Sequence, residues 1–128
     1  MTKRQPFQYA ALRIVPRVER GEAVNAGVVL FCRPLRFLGA RTHLDEQLLA
    51  ALSPGCDAKE VRELLTTIEH IARGDAQGGA IAHLPASERF HWLVAPASTI
   101  VQAGPVHTGL TSEPEAELDR LFRKLVER

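Results

Sequence analysis

The sequence predicts an α+β domain: an antiparallel sheet laid down as a β-meander, then two helices, a β-hairpin and a C-terminal helix, with the helices packed on the sheet. Three observations carry this. The first third alternates with the two-residue period of strands and has turn residues between the runs. The middle and the end carry apolar stripes at helical spacing behind capping residues. The connections between the opening strands are too short to hold a crossover helix, so those strands must be antiparallel. A chain of 128 residues makes one domain of ordinary size, spanning 1–128.

Residues 7–17 read as the first strand, with Tyr9, Ala11, Arg13 and Val15 on one face and Gln8, Ala10, Leu12 and Ile14 on the other. Pro16 ends it. The run VNAGVVLFC, residues 24–32, is almost wholly apolar, as a central strand covered on both faces would be. Between them PRVERGEA allows only a hairpin, turned at Arg20-Gly21. Pro34 turns the chain again, and RFLGARTH, residues 36–43, makes a third strand. DEQLLAAL is a short helix stopped by Ser53-Pro54-Gly55. Asp57, with Glu60 three residues on, starts a longer one. Its stripe is Val61, Leu64, Leu65, Ile68, Ile71 and Ala72, and Gly74 closes it. His70 on this helix is expected to face solvent.

ERFHWLVAP and STIVQAGPVHT read as two further strands turned at Pro96-Ala97, with Phe90, Trp92 and Val94 sharing a buried face; a helix over 87–95 is the rival reading. Pro105 confines the last strand to an edge or a bulge. Ser112 as N-cap, Glu115 as its partner and Pro114 in the first turn open the final helix, whose stripe is Leu118, Leu121, Phe122, Leu125 and Val126.

Charge is unevenly spread around a net +1. Up to Arg41 there are seven Arg and one Lys against two acids, a balance of +6; beyond it six Arg and two Lys face thirteen acids, a balance of −5. This reads as a basic hairpin lying across acidic helices, with a basic nucleic-acid face as the weaker alternative, since no basic run occurs. Cys32 and Cys56 have no CxxC spacing and read as reduced, buried thiols of a cytoplasmic protein. No apolar run is long enough to span a bilayer, and no signal peptide is recognisable. HExxH, GxxxxGK[ST], GxGxxG and GxSxG are all absent, which leaves no metal, no cofactor and no catalytic nucleophile to assign.

Two polar clusters stand out. Arg13, Glu22 and Asn25 surround the first hairpin. Asn25 shares a strand face with Gly27, Val29 and Phe31, and Glu22 is within reach of Arg13. Gly27, inside a strand, signals a bulge or a close backbone approach. A structural Arg–Glu–Asn network is the plain reading and a polar pocket the sharper one. Residues 98–109 gather Ser98, Thr99, Gln102 and His107, types suited to holding an anion or substrate and equally common in turns. If the meander sets the first hairpin beside the last strand, the two clusters converge on one ligand-binding site.

The runs YAALRIVPRVERGEAVNAGVVLFCRP and RFLGAR, with SERFHWLVAPASTIVQAGPVHTG later, resemble the bacterial Domain of Unknown Function 3037 family, over nearly the whole chain. The resemblance implies one whole-chain domain with no established activity. It also implies a protein partner, because relatives are encoded beside kinases resembling the toxin kinase HipA. The leading expectation is an accessory or binding module acting through such a partner or through a bound anionic ligand. The alternatives are a hydrolytic or nucleotide-handling enzyme using His107 or Glu22 with Arg13, and nucleic-acid binding through the basic hairpin.

Overall fold

The computed structural model describes residues 3–97 and 99–127. The described residues form an α+β fold, with one five-stranded antiparallel sheet, four α-helices and two short 3-10 turns. Strand β1 (Gln5–Ile14) pairs with β2 (Val24–Cys32), and β2 pairs with β3 (Phe37–Thr42). The other edge of β1 is shared end to end: β4 (Val101–Ala103) pairs with Leu12–Ile14, and β5 (His107–Thr111) pairs with Gln5–Tyr9. Helices α1 (Glu46–Leu52), α2 (Ala58–Arg73) and α3 (Ala86–Val94) lie on one face of the sheet and α4 (Pro114–Leu125) on the other.

The hairpin turns follow their chemistry. Gly21 takes φ 71° and donates back to Arg17 and Val18, which closes the β1–β2 turn. At the β2–β3 turn Arg36 donates to the Arg33 carbonyl and itself adopts φ 53°. Alternation then sorts β1: Ala10, Leu12 and Ile14 enter the core beneath α1–α3, while Phe7 and Tyr9 face α4. β2 is apolar on both sides because Val29 and Phe31 point to one helical layer and Val28, Leu30 and Cys32 to the other.

A bulge modifies this alternation. Leu12 stands opposite Gly27 but Arg13 stands opposite Asn25, so Ala26 is the extra residue. Asn25 is thereby turned from the face of Gly27, Val29 and Phe31, where simple alternation puts it, to the α4 face. There its Nδ2 donates to the Leu125 carbonyl at 3.1 Å.

Helices α1 and α2 start at the caps that their sequences supply. The Asp57 carboxylate accepts from the Lys59 and Glu60 amides, and Gly74 ends α2 in the left-handed conformation. Asp45 caps α1 through the Leu48 amide. Helix α4 departs from expectation at its start: Glu113, not Ser112, is the N-cap, with no side-chain cap of its own, and Thr111 Oγ1 accepts from the Glu113 amide instead. Pro114 sits in the first turn, where its missing N–H costs nothing. His70 is not solvent-facing; its Nδ1 lies 2.9 Å from Asp75 and 2.9 Å from Arg73 Nη2. These contacts, the His70 bond foremost, hold the Asp75 carboxyl below its ordinary range.

The largest departure is the segment 87–95, which forms helix α3 up to Val94 and its C-cap at Ala95 and is not a strand. Pro85 precedes it and Glu88 lies in its first turn. Phe90 and Leu93 are buried three apart, a helical spacing, whereas Trp92 is 51% exposed. The expected hairpin is therefore absent, and its second strand is cut at Gly104-Pro105 into β4 and β5, both edge segments as Pro105 requires.

Arg89 ties α3 to α2. Its Nη1 donates to the Ile71 and Ala72 carbonyls at 2.9 and 2.7 Å, and its Nε to the Leu84 carbonyl at 2.9 Å. Two carbonyls at the end of α2 and one in the connection before α3 are thus bonded by one guanidinium. Arg89→Met keeps the stem and removes the donors; urea unfolding is expected to show a loss of about 1–3 kcal/mol. Across the other layer, Arg41 of β3 bonds Asp119 of α4 at 2.7 Å and covers the Phe122 ring. That pair is an instance of basic meander meeting acidic helix.

Candidate functional site

The register of β1 draws polar residues of distant sequence onto one face. Asn25, Arg13 and Gln102 are Cα partners in a row across β2, β1 and β4. Residues directly opposite on antiparallel strands have Cβ atoms about 5 Å apart, so the three side chains emerge together. Four residues along β1 from Arg13, past Ala11, Tyr9 stands opposite His107, with ring centroids 5.3 Å apart. Helix α4 packs over β2 and β3 and leaves this β1–β4–β5 half of the face less covered. Tyr9, Ala11, Arg13 and Gln102 are half-buried and His107 is exposed.

Arg13 is the chemically informative member. Its guanidinium lies flat against Gly104, where an added Cβ would stand 2.9 Å from Cζ and 3.0 Å from Nη2. Among the described residues no acceptor bonds it and no carboxylate pairs with it. A half-buried cation without a counter-charge is costly unless something supplies one.

The remaining members have local duties. Thr99 Oγ1 donates to the Val101 carbonyl at 2.7 Å, and Gln102 Nε2 donates to the Thr99 carbonyl at 2.8 Å. Asn25 closes the end of α4. Glu22 does not join Arg13; it is held by Arg20 at the hairpin tip, Oε1 2.7 Å from Nε and Oε2 3.2 Å from Nη2. That hydrogen bond pulls the Glu22 carboxyl below its usual range and raises Arg20. The Arg–Glu–Asn network is therefore not formed. Ser98 lies outside the described residues. Tyr9 shares the Arg13 face by strand alternation, but its pairing with His107 and the approach of Gly104 to Arg13 follow only from register.

Two recesses lie elsewhere. One, of about 590 Å³, opens at the start of α4 between Arg36, Phe37 and the carboxylates of Glu113, Glu115 and Asp119, a lining too acidic for an anion. The other, of about 650 Å³, is mostly apolar and lies between α2, α3 and β4. Cys32 is buried and Cys56 only half-buried, both free; burial first, then Asp57 and Glu60, push the Cys56 thiol up. Among the described residues, no group of three or more His, Cys, Asp or Glu side chains gathers as a metal site, and no helix is long and apolar enough to cross a membrane.

Residues 9–126 match the family model described as protein of unknown function, DUF3037. The chain belongs to the DUF3037 family. The match takes in every strand of the sheet at least in part and all four helices, so the half-open face, with Arg13 at its centre, lies within the DUF3037 region. No curated protein and no solved structure matches the chain.

Proposed function

We propose that this DUF3037 domain is a binding module that holds an anionic group, a phosphate or carboxylate, against Arg13 on the half-open face of its sheet. The observation that carries this is the half-buried Arg13 guanidinium, laid against a residue with no side chain and without an acceptor among the described residues. A planar fork in that position suits two oxygens of one anion. Gln102 stands beside it, and the Tyr9–His107 pair gives a flat surface four residues away along β1, on the same side of the strand.

The anion has two sources, a free small molecule or an acidic side chain of a partner protein. Titration calorimetry with inorganic phosphate and, separately, with a short phosphoserine peptide distinguishes them. Arg13→Gln is expected to weaken whichever probe binds by about 10–100-fold, the worth of a charge-assisted hydrogen bond. Gly104→Ala is expected to weaken it comparably while leaving the urea midpoint nearly unchanged, because the new methyl displaces only the end of a flexible side chain. If neither probe binds, or if Arg13→Gln only lowers stability and binding persists, the reading fails.

A further inference from the structure

The second recess lies on the opposite face of the same pair of strands. Leu12 and Ala103, which form its floor, alternate with Arg13 and Gln102, which face the other way. One wall is α2, contributing Leu64, Ile68 and Ile71; the other is α3, contributing Trp92 and Leu93. Leu64 belongs to the apolar stripe of α2 yet is 37% exposed, and Trp92 is 51% exposed. Two large apolar side chains thus stand open to solvent on facing walls of one groove. An indole at such a rim is a residue type that anchors protein interfaces.

The charges around the groove narrow the occupant. Among the described residues, Glu60 is the one ionisable residue of its lining. Glu63 lies one turn before Thr67 of the lining, and Glu88 one turn before Trp92, so exposed carboxylates flank the apolar floor from both helices. Arg89, the cation of α3 nearest this wall, spends its guanidinium on the Ile71, Ala72 and Leu84 carbonyls. The α2 wall runs from Glu60 to Ile71, about 16 Å at 1.5 Å per residue, or three helical turns.

The backbone argues against a strand as occupant. Ile100 and Gly104 bond β1, so the Val101 carbonyl between them turns outward to the free edge of β4. Thr99 Oγ1 already donates to that carbonyl at 2.7 Å, which blunts the edge. We infer that this groove docks a short amphipathic helix of a partner protein, apolar on the buried side and carrying Lys or Arg at its flanks. The site is separate from the Arg13 face and does not depend on it.

Trp92 is the only tryptophan in the chain, so its emission reports the groove directly. The probe is a 16-residue peptide with Leu at i, i+3, i+4 and i+7 spacing and Lys between, compared with the same peptide bearing Glu for Lys and with an uncharged apolar dye. The Lys peptide is expected to shift Trp92 emission to the blue saturably, and to bind at least tenfold tighter than the Glu peptide. Leu64→Lys is expected to weaken it at least tenfold; Thr67→Arg, at an exposed lining position, does the same if Leu64→Lys fails to fold. The pair Glu60→Lys and Glu88→Lys is expected to reverse the preference between the two peptides. Equal binding of both peptides, absence of Lys-peptide binding, dye binding that the Lys peptide does not displace, or self-association of the chain through this groove in sedimentation would each overturn the inference.

Discussion

Phe90→Ala is expected to lower the stability of the domain by about 3–5 kcal/mol, while Trp92→Ala, two residues away, costs about 1 kcal/mol. Phe90 is 1% exposed, packs on Phe31 with ring centroids 5.3 Å apart, and joins Ala10, Leu12, Ile71 and Leu93 in one cluster. Deleting its ring leaves a cavity between α3 and the sheet. Because a domain of this size is stable by roughly 5–15 kcal/mol, the loss is a large share of the total. Trp92 points into the groove opening and keeps half of its surface in water. Urea unfolding followed by circular dichroism measures both without needing the indole. Comparable losses at the two positions would mean that they share a face, as the strand reading of 87–95 requires, and would contradict α3.

That segment shows why part of the fold was not legible in the sequence. Over nine residues, Phe90, Trp92 and Val94 satisfy a strand period and Phe90, Leu93 and Val94 a helical one, so periodicity alone cannot decide. What decides is tertiary: a helix lets Arg89 reach the end of α2 and seats Phe90 on Phe31. Elsewhere local chemistry and packing agree. Asp57, Gly74, Gly21 and Pro105 each do what their backbone requirements dictate, and the almost wholly apolar run of β2 does signal a strand covered on both faces. Ser112 misled because Thr111, one residue earlier, offers an equivalent hydroxyl that bonds the Glu113 amide.

The proximity of the candidate residues was legible in outline, and which of them share a face was not. Proximity of the two polar clusters followed from topology, since residues 98–109 flank β1 directly. Which side chains meet depends on register, and register depends here on one extra residue, Ala26. Without the bulge Asn25 would face α1–α3. With it, Asn25, Arg13 and Gln102 fall in line on the α4 face. Glu22 was lost to a nearer partner: Arg20, two residues away, closes on it with less chain to order than Arg13 would need.

Gly27→Val is expected to cost about 1–3 kcal/mol or more and to move the Asn25 row out of alignment. A Cβ at residue 27 would stand 2.7 Å from the Arg41 carbonyl oxygen and 2.9 Å from Thr42 Cγ2 on β3, and 3.3 Å from Leu12 Cδ1 on β1. The nearest of these atoms is backbone in a paired strand, so it cannot swing aside as the end of a long side chain can. Relief would have to come from separating β2 and β3 next to the bulge, where the Ala26 carbonyl also holds the His43 amide at 2.8 Å. Gly55→Ala serves as the control, because nothing lies within 4 Å of a Cβ there; that change is expected to be neutral or to stabilise slightly by restricting the unfolded chain. Urea midpoints give the stability difference, and nuclear magnetic resonance shifts of the Asn25 and Gln102 side-chain amides read the alignment. A Gly27→Val protein as stable as the Gly55→Ala control would mean that β3 does not approach β2 this closely. The bulge would then lose the constraint that holds Arg13 opposite Asn25.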